Sequence, residues 1–268
     1  MRTITVLLAA VAAGSVLTFS AANAGTTAKP VTKTFRVALT GEAESPAGDP
    51  VATGTATLKL RAGQAKVCYQ LSARNLPRAI AAHIHKGKAG VSGNVVVPLK
   101  TPNAAGSSKG CAKASKALVR SMIKSPTAFY VNVHTGEFPN GAIRGQLKGS
   151  STKSFGTIVK RTLNGTSEPN ATGSAVVRFR RDDGLVCYRL TAANVTLPTI
   201  AAHIHKGAAG TNGNVVVPFT APGANGESDG CATADQSLID AILGDLSGYY
   251  VNVHTKEHPA GAIRAQLA

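Results

Sequence analysis

Short runs of alternating apolar and polar residues, each closed by Gly, Pro, Asn or Asp, recur along residues 34–147. Successive side chains of a strand point to opposite faces, so such runs read as half-buried strands. The pattern predicts strands at 34–41, 54–61, 65–73, 80–86, 94–99, 128–135 and 141–147, with turn residues between them. One stretch breaks the alternation. Residues 113–124, after Cys111, read as a helix, and at 235–246 Leu238, Ile239, Ile242 and Leu246 fall at amphipathic spacing. Seven short strands and one helix in roughly 115 residues predict an antiparallel, Greek-key β-sandwich.

The pattern then repeats. Ala81-Ala82-His83-Ile84-His85-Lys86-Gly87 returns as Ala201-Ala202-His203-Ile204-His205-Lys206-Gly207, and Tyr130-Val131-Asn132-Val133-His134-Thr135 returns as Tyr250-Val251-Asn252-Val253-His254-Thr255. Gly141-Ala142-Ile143-Arg144 returns as Gly261-Ala262-Ile263-Arg264. A period this long marks duplicated domains rather than a solenoid unit. The chain divides into domain 1 at 34–148, a polar linker at 149–154 and domain 2 at 155–268.

The first 24 residues follow a different rule. Arg2 precedes an apolar run at 4–19, and Ala22-Asn23-Ala24 forms a small-residue cleavage site. This reads as a signal peptide, with a mature chain beginning at Gly25 and residues 25–33 leading into domain 1. No later segment offers the roughly 18 uninterrupted apolar residues of a membrane span. The expected location is therefore outside the cytoplasm, periplasmic or extracellular, where disulfides persist.

The four cysteines fit that setting. Cys68 lies mid-strand, Cys111 in the loop before the helix, and Cys187 and Cys231 repeat them. Pairing Cys68–Cys111 and Cys187–Cys231 is the connectivity that leaves each repeat self-contained. Each bridge closes a loop worth roughly 4 kcal/mol in the chain-entropy model. No C-x-x-C spacing occurs, which argues against a cysteine metal site.

Charge divides the repeats. Residues 25–150 hold 18 Lys and Arg against 4 Asp and Glu, whereas 151–268 hold 10 against 9. Lys113, Lys116, Arg120 and Lys124 fall at helical spacing and predict a basic helix face, where the second repeat has Thr233, Gln236, Asp240 and Gly244. Such a face is either simply solvated or a tether for anionic polymers. No aromatic residue interleaves with these cations, which argues against nucleic acid as a partner.

Histidines supply the candidate chemistry. Parity puts Ala82 and Ile84 inward and His83 and His85 outward; Val131 and Val133 go inward, Asn132 and His134 outward; Ile143 and Leu147 go inward, Arg144 and Gln146 outward. The second repeat places His203, His205, His254 and Arg264 alike. The seventh histidine, His258, stands where the first repeat has Phe138. Three imidazoles from two strands suit one copper or zinc ion, with Arg144 and Arg264 near its open position as anion guides. The alternative is structural: the imidazoles bond the backbone of the glycine-rich loops at 87–93 and 100–112. Acid–base catalysis without metal is disfavoured, because no Asp, Glu or Ser motif repeats beside the trio. Glu44 and Glu168 do recur near a proline and read as turn or rim residues.

These residues resemble the CHRD domain family, named after the secreted antagonist chordin. The carrying motifs are Leu39 to Pro46, His83-Ile84-His85 with Gly87 and Gly90, and Val131-Asn132-Val133-His134 through Gly145, matched in the second repeat by Leu163, Gly165, Glu168, Pro169, His203, His205, His254 and Arg264. The second repeat departs in a shorter loop after Glu168 and in Ala265 for Gly145. The resemblance implies an immunoglobulin-like barrel or sandwich with limited similarity to copper/zinc superoxide dismutases, and it carries no established enzymatic activity. Those dismutases also set an H-x-H strand, a later V-x-H strand and an arginine around copper. The segment with the bridging histidine and the zinc ligands is missing here, so the resemblance implies at most one mononuclear site per repeat. The expectation is a binding or structural module rather than an enzyme. Its alternatives are a copper- or zinc-binding protein, possibly redox-active, and a cationic tether.

Overall fold

The computed structural model describes residues 31–148 and 155–268; the predicted signal peptide and the linker at 149–154 lie outside the described residues. The first unit comprises β1 (Thr32–Thr40), β2 (Thr53–Arg61), β3 (Lys66–Arg74), β4 (Ala79–Lys86), β5 (Asn94–Leu99), β6 (Ser107–Lys113), α1 (Lys116–Lys124), β7 (Phe129–Thr135) and β8 (Ile143–Gln146). The second repeats it as β9 (Thr157–Gly165), β10 (Thr172–Arg180), β11 (Leu185–Ala193), β12 (Ala201–Lys206), β13 (Asn214–Phe219), β14 (Glu227–Thr233), α2 (Gln236–Gly244), β15 (Tyr249–His254) and β16 (Ile263–Gln266).

Each unit is one eight-stranded antiparallel sheet, ordered β5-β4-β7-β8-β1-β2-β3-β6 and β13-β12-β15-β16-β9-β10-β11-β14. The strands at the two ends of each order, β5 with β6 and β13 with β14, come back alongside each other, so each sheet rolls into a flattened barrel. The inward positions meet inside. Leu39, Leu58, Leu71, Ile84 and Val131 form one core with Val119 and Met122 of α1; Leu163, Val177, Leu190, Ile204 and Val251 form the other with Ile239 and Ile242 of α2. Each such side chain, fully buried, contributes about 1.5–3 kcal/mol. Among the described residues no helix is long and apolar enough to cross a membrane.

Both expected disulfides are formed, Cys68–Cys111 and Cys187–Cys231. Two local expectations change. Cys111 is not in a loop: Ser107–Lys113 is an eighth strand, and Cys68 and Cys111 are direct cross-strand partners. The basic helix face also loses a member. Lys113 ends β6 opposite Lys66, and the helix starts at Lys116, where the Ser115 hydroxyl accepts from Leu118 N at 3.1 Å.

The two units touch through side chains on the outward positions of β10 and β11. Arg178 is 1% exposed and pairs with Glu42 at 3.3 Å, and its Nη1 also donates to Pro50 O at 3.2 Å. Arg180 reaches Glu42 at 3.1 Å. Arg189 pairs with the fully buried Asp49 at 2.5 Å and with Glu137 at 3.6 Å. An acidic rim of domain 1 thus sits on the outer sheet of domain 2.

Candidate metal centre

The three histidines of each domain converge. One ligand nitrogen from each of His83, His85 and His134 lies within 4.8 Å of the other two, and His203, His205 and His254 do the same. Strand register produces this. His83 stands opposite Asn132 in the β4–β7 pair, so His134, two residues on, is its diagonal neighbour on the same face. His85 follows His83 by two. A register shift at Ile84/His85 in the β4–β5 pair, recurring at Ile204/His205, lies beside it and places the extra residue on β5.

This face points away from the core, as parity predicts, but not into open solvent. Every residue of β7 is buried, because loops fold over the strand. The loop-bonding alternative is therefore partly realised: His85 Nδ1 bonds Gly93 O at 2.8 Å, in the 87–93 loop, and His134 Nδ1 bonds Pro139 O at 2.9 Å. No histidine bonds to the 100–112 segment, whose second half is β6. Domain 2 repeats both bonds, His205 to Gly213 O and His254 to Pro259 O, each 2.9 Å. Gly93 has to be glycine, since a Cβ there would lie 1.8 Å from Lys86 O.

Those bonds also prepare the other ring nitrogen. An Nδ1–H donated to a carbonyl leaves Nε2 as a lone pair, the arrangement that orients metal-ligating histidines. His85 Nε2 and His205 Nε2 are buried with no hydrogen-bond partner. His83 Nδ1 and His134 Nε2 stand 3.2 Å apart, and His203 Nδ1 and His254 Nε2 stand 3.4 Å apart. Two nitrogens bound to one ion at about 2.0–2.1 Å in tetrahedral geometry lie about 3.3 Å apart. The residues present fit a three-nitrogen metal site.

Burial pushes the imidazoles of His83, His85 and His134 below 6.5, and for His83 the neighbouring His134 and His85 add to it. His203 and His254 are lowered for the same reason. Neutral imidazole is the form that binds a metal.

Tyr130 and Tyr250 complete the face and were not singled out by sequence. Tyr130 stacks on His85 with ring centroids 4.8 Å apart, and its hydroxyl accepts from Gly93 N at 3.1 Å. Their signal was present: they open the repeated Tyr-Val-Asn-Val-His motif with the parity of the histidine. The arginines pack on the tyrosines. The Arg144 guanidinium lies 3.6 Å above the Tyr130 ring, and its Nη2 donates to Lys88 O at 2.7 Å and Val91 O at 3.1 Å. At 1% exposure it holds the loop down. Arg264 lies over Tyr250 in the same way and donates to Thr211 O, but it is only half-buried.

Glu44 is also not a rim residue. It is 8% exposed and accepts from Asn132 Nδ2 at 2.9 Å; burial raises its carboxyl to about 8, with Arg144 pulling the other way. In domain 2, Glu168 instead faces His258 at 3.3 Å.

The CHRD domain family model matches residues 35–147 and again residues 160–267. No curated protein and no solved structure matches the chain.

Proposed function

The chain belongs to the CHRD domain family, carrying two copies of the domain, and from that premise we propose that it is an exported module that holds one copper or zinc ion per domain. His83, His85 and His134 are the ligands in domain 1, and His203, His205 and His254 in domain 2. One observation carries this: in both domains a histidine whose buried Nε2 has no partner is grouped with two more imidazoles whose facing nitrogens stand 3.2–3.4 Å apart. An unpaired buried polar atom costs about 1–3 kcal/mol, a cost that an ion bound at Nε2 would remove.

With nitrogen ligands only, affinity favours Cu²⁺ over Zn²⁺. The bound ion supplies a positive centre with an open position. The chain supplies the rest: loop carbonyls fix each ring's orientation, and Tyr130 and Arg144 brace His85 and the 88–91 loop. The two disulfides suit an oxidising compartment. The repeated hydroxyls beside the trio, those of Tyr130 and Tyr250, are engaged with Gly93 N and Gly213 N, which supports a binding role.

The test is competition titration of the full chain with Cu²⁺ and Zn²⁺. Two equivalents should bind per chain, one in His134→Ala or His254→Ala, and none in the double variant. Absence of saturable binding in the wild type overturns the proposal.

A further inference from the structure

The outer face of β1, β2, β3 and β6 in domain 1 presents Arg36, Lys59, Arg61, Lys66, Lys109 and Lys113, and no acidic residue. We propose that this face is a docking surface for a linear carboxylated glycan. The inference does not rest on the metal site.

The repeat shows what the face is for. Lys59 lies in the cross-strand row of the Cys68–Cys111 bridge, and Arg178 occupies the same place in the row of Cys187–Cys231. Arg61 and Arg180 correspond in the same way, two residues on. In domain 2 this surface is already a docking site, and it takes the carboxylates of Glu42, Asp49 and Glu137. In domain 1 the equivalent surface is basic and has no acidic partner among the described residues.

The charge is also placed at a cost. Arg61, Lys66 and Lys113 stand directly opposite one another on three adjacent strands. Strands lie about 4.8 Å apart, so these cations repel at close range; like charges directly opposite destabilise a sheet by a few tenths of a kcal/mol each. A bound polyanion reverses the sign of that term. From Arg61 to the row of Arg36 and Lys109 the face runs about 14 Å along the strands.

The chemistry selects the occupant. Domain 2 uses arginines, whose planar forks hold single carboxylates in a buried contact. Domain 1 uses mainly exposed lysines, hydrated point charges that follow a diffuse row of anions. The outward positions offer Thr34, Thr57, Gln70 and the disulfide between the cations, with no aromatic for stacking bases and no large apolar side chain to enter a membrane or anchor a protein. A second copy of the chain has no free rim to offer: Glu42, Asp49 and Glu137 are engaged by its own domain 2, where Thr166 replaces Glu42 and the shorter loop has no counterpart of Asp49.

The test measures binding of polygalacturonate to the full chain at several salt concentrations. Lys59→Glu/Lys66→Glu/Lys113→Glu should lose tenfold or more in affinity, and Lys59→Gln/Lys66→Gln/Lys113→Gln should lose affinity with a shallower salt dependence. Lys116→Glu/Arg120→Glu/Lys124→Glu on α1 should bind nearly as the wild type does. Unchanged thermal unfolding of each variant keeps the comparison on binding. The proposal is overturned if the wild type does not bind at low salt, or if the helix variant loses as much as the sheet variant. It is overturned equally if duplex DNA or anionic phospholipid vesicles bind as tightly as the glycan, or if the face instead mediates dimerisation that the sheet variant abolishes.

Discussion

In domain 1 and domain 2 the paired histidine nitrogens stand 3.2 and 3.4 Å apart, under the same loop carbonyls and beside the same tyrosine. On the β2–β3 side the same two domains part company. Lys59 is exposed where Arg178 is buried in an ion pair, and the four carboxylates of domain 1 sit in its loops while its outer sheet carries none. A duplicated fold kept one face and diverged on another. What the copies share is the histidine chemistry; what they divide is who covers the outer sheet. The buried arginine contacts also tie domain 2 to the loops of domain 1.

The sharpest way to break this comparison is to make one change twice. Arg178→Ala leaves Phe155 O and Pro50 O without their donor and Glu42 with Arg180 alone, and should destabilise the chain by about 2 kcal/mol in urea unfolding. Lys59→Ala, at the equivalent position, should stay within about 0.5 kcal/mol. Equal effects would mean that the domains are not docked through these arginines.

Glu44 and Glu168 separate the domains next. A carboxyl raised to about 8 from 4.5 keeps its proton in the folded state where the unfolded chain loses it. Its contribution is full below about pH 4.5 and is lost as pH rises toward 8. Glu44→Gln should therefore flatten the stability profile between those limits relative to wild type. Glu168→Gln removes the partner of His258 instead. Parallel profiles for wild type and Glu44→Gln would contradict the buried, protonated carboxyl.

Smaller still is the helix start. Ser115→Ala removes a side-chain cap and should cost about 1 kcal/mol, whereas Asp235, whose side chain caps nothing, should tolerate alanine at a smaller cost.

The alternation of apolar residues made seven of the eight strands, the helix and the inward and outward histidines legible. It missed β6 because Ser-Ser-Lys-Gly-Cys-Ala-Lys has no apolar face to alternate, and only pairing with β3 makes it a strand. Parity showed that the histidines leave the core, yet it carried no information about loops folding over them, which depends on Gly93 and Pro139 offering carbonyls at the right height. The domain contact was invisible for a similar reason. Arg178 and Glu42 are far apart in sequence, and the outward arginines of β10 and β11 read as ordinary surface charge until the partner loop is in place.

Metal binding carries its own pH signature. Burial lowers the imidazoles, so bound copper should survive below pH 6.5 and be released only as acid protonates rings held under their usual value. Release centred at or above 6.5 would argue that the rings are solvated. The most direct measurement is electron paramagnetic resonance of the chain loaded with two equivalents of Cu²⁺. The geometry predicts one type of signal from both domains, with hyperfine splitting from three nitrogen ligands, reduced to half its intensity in His134→Ala and in His254→Ala. Copper coordinated by fewer nitrogens, or a signal indifferent to those substitutions, would contradict the three-histidine site.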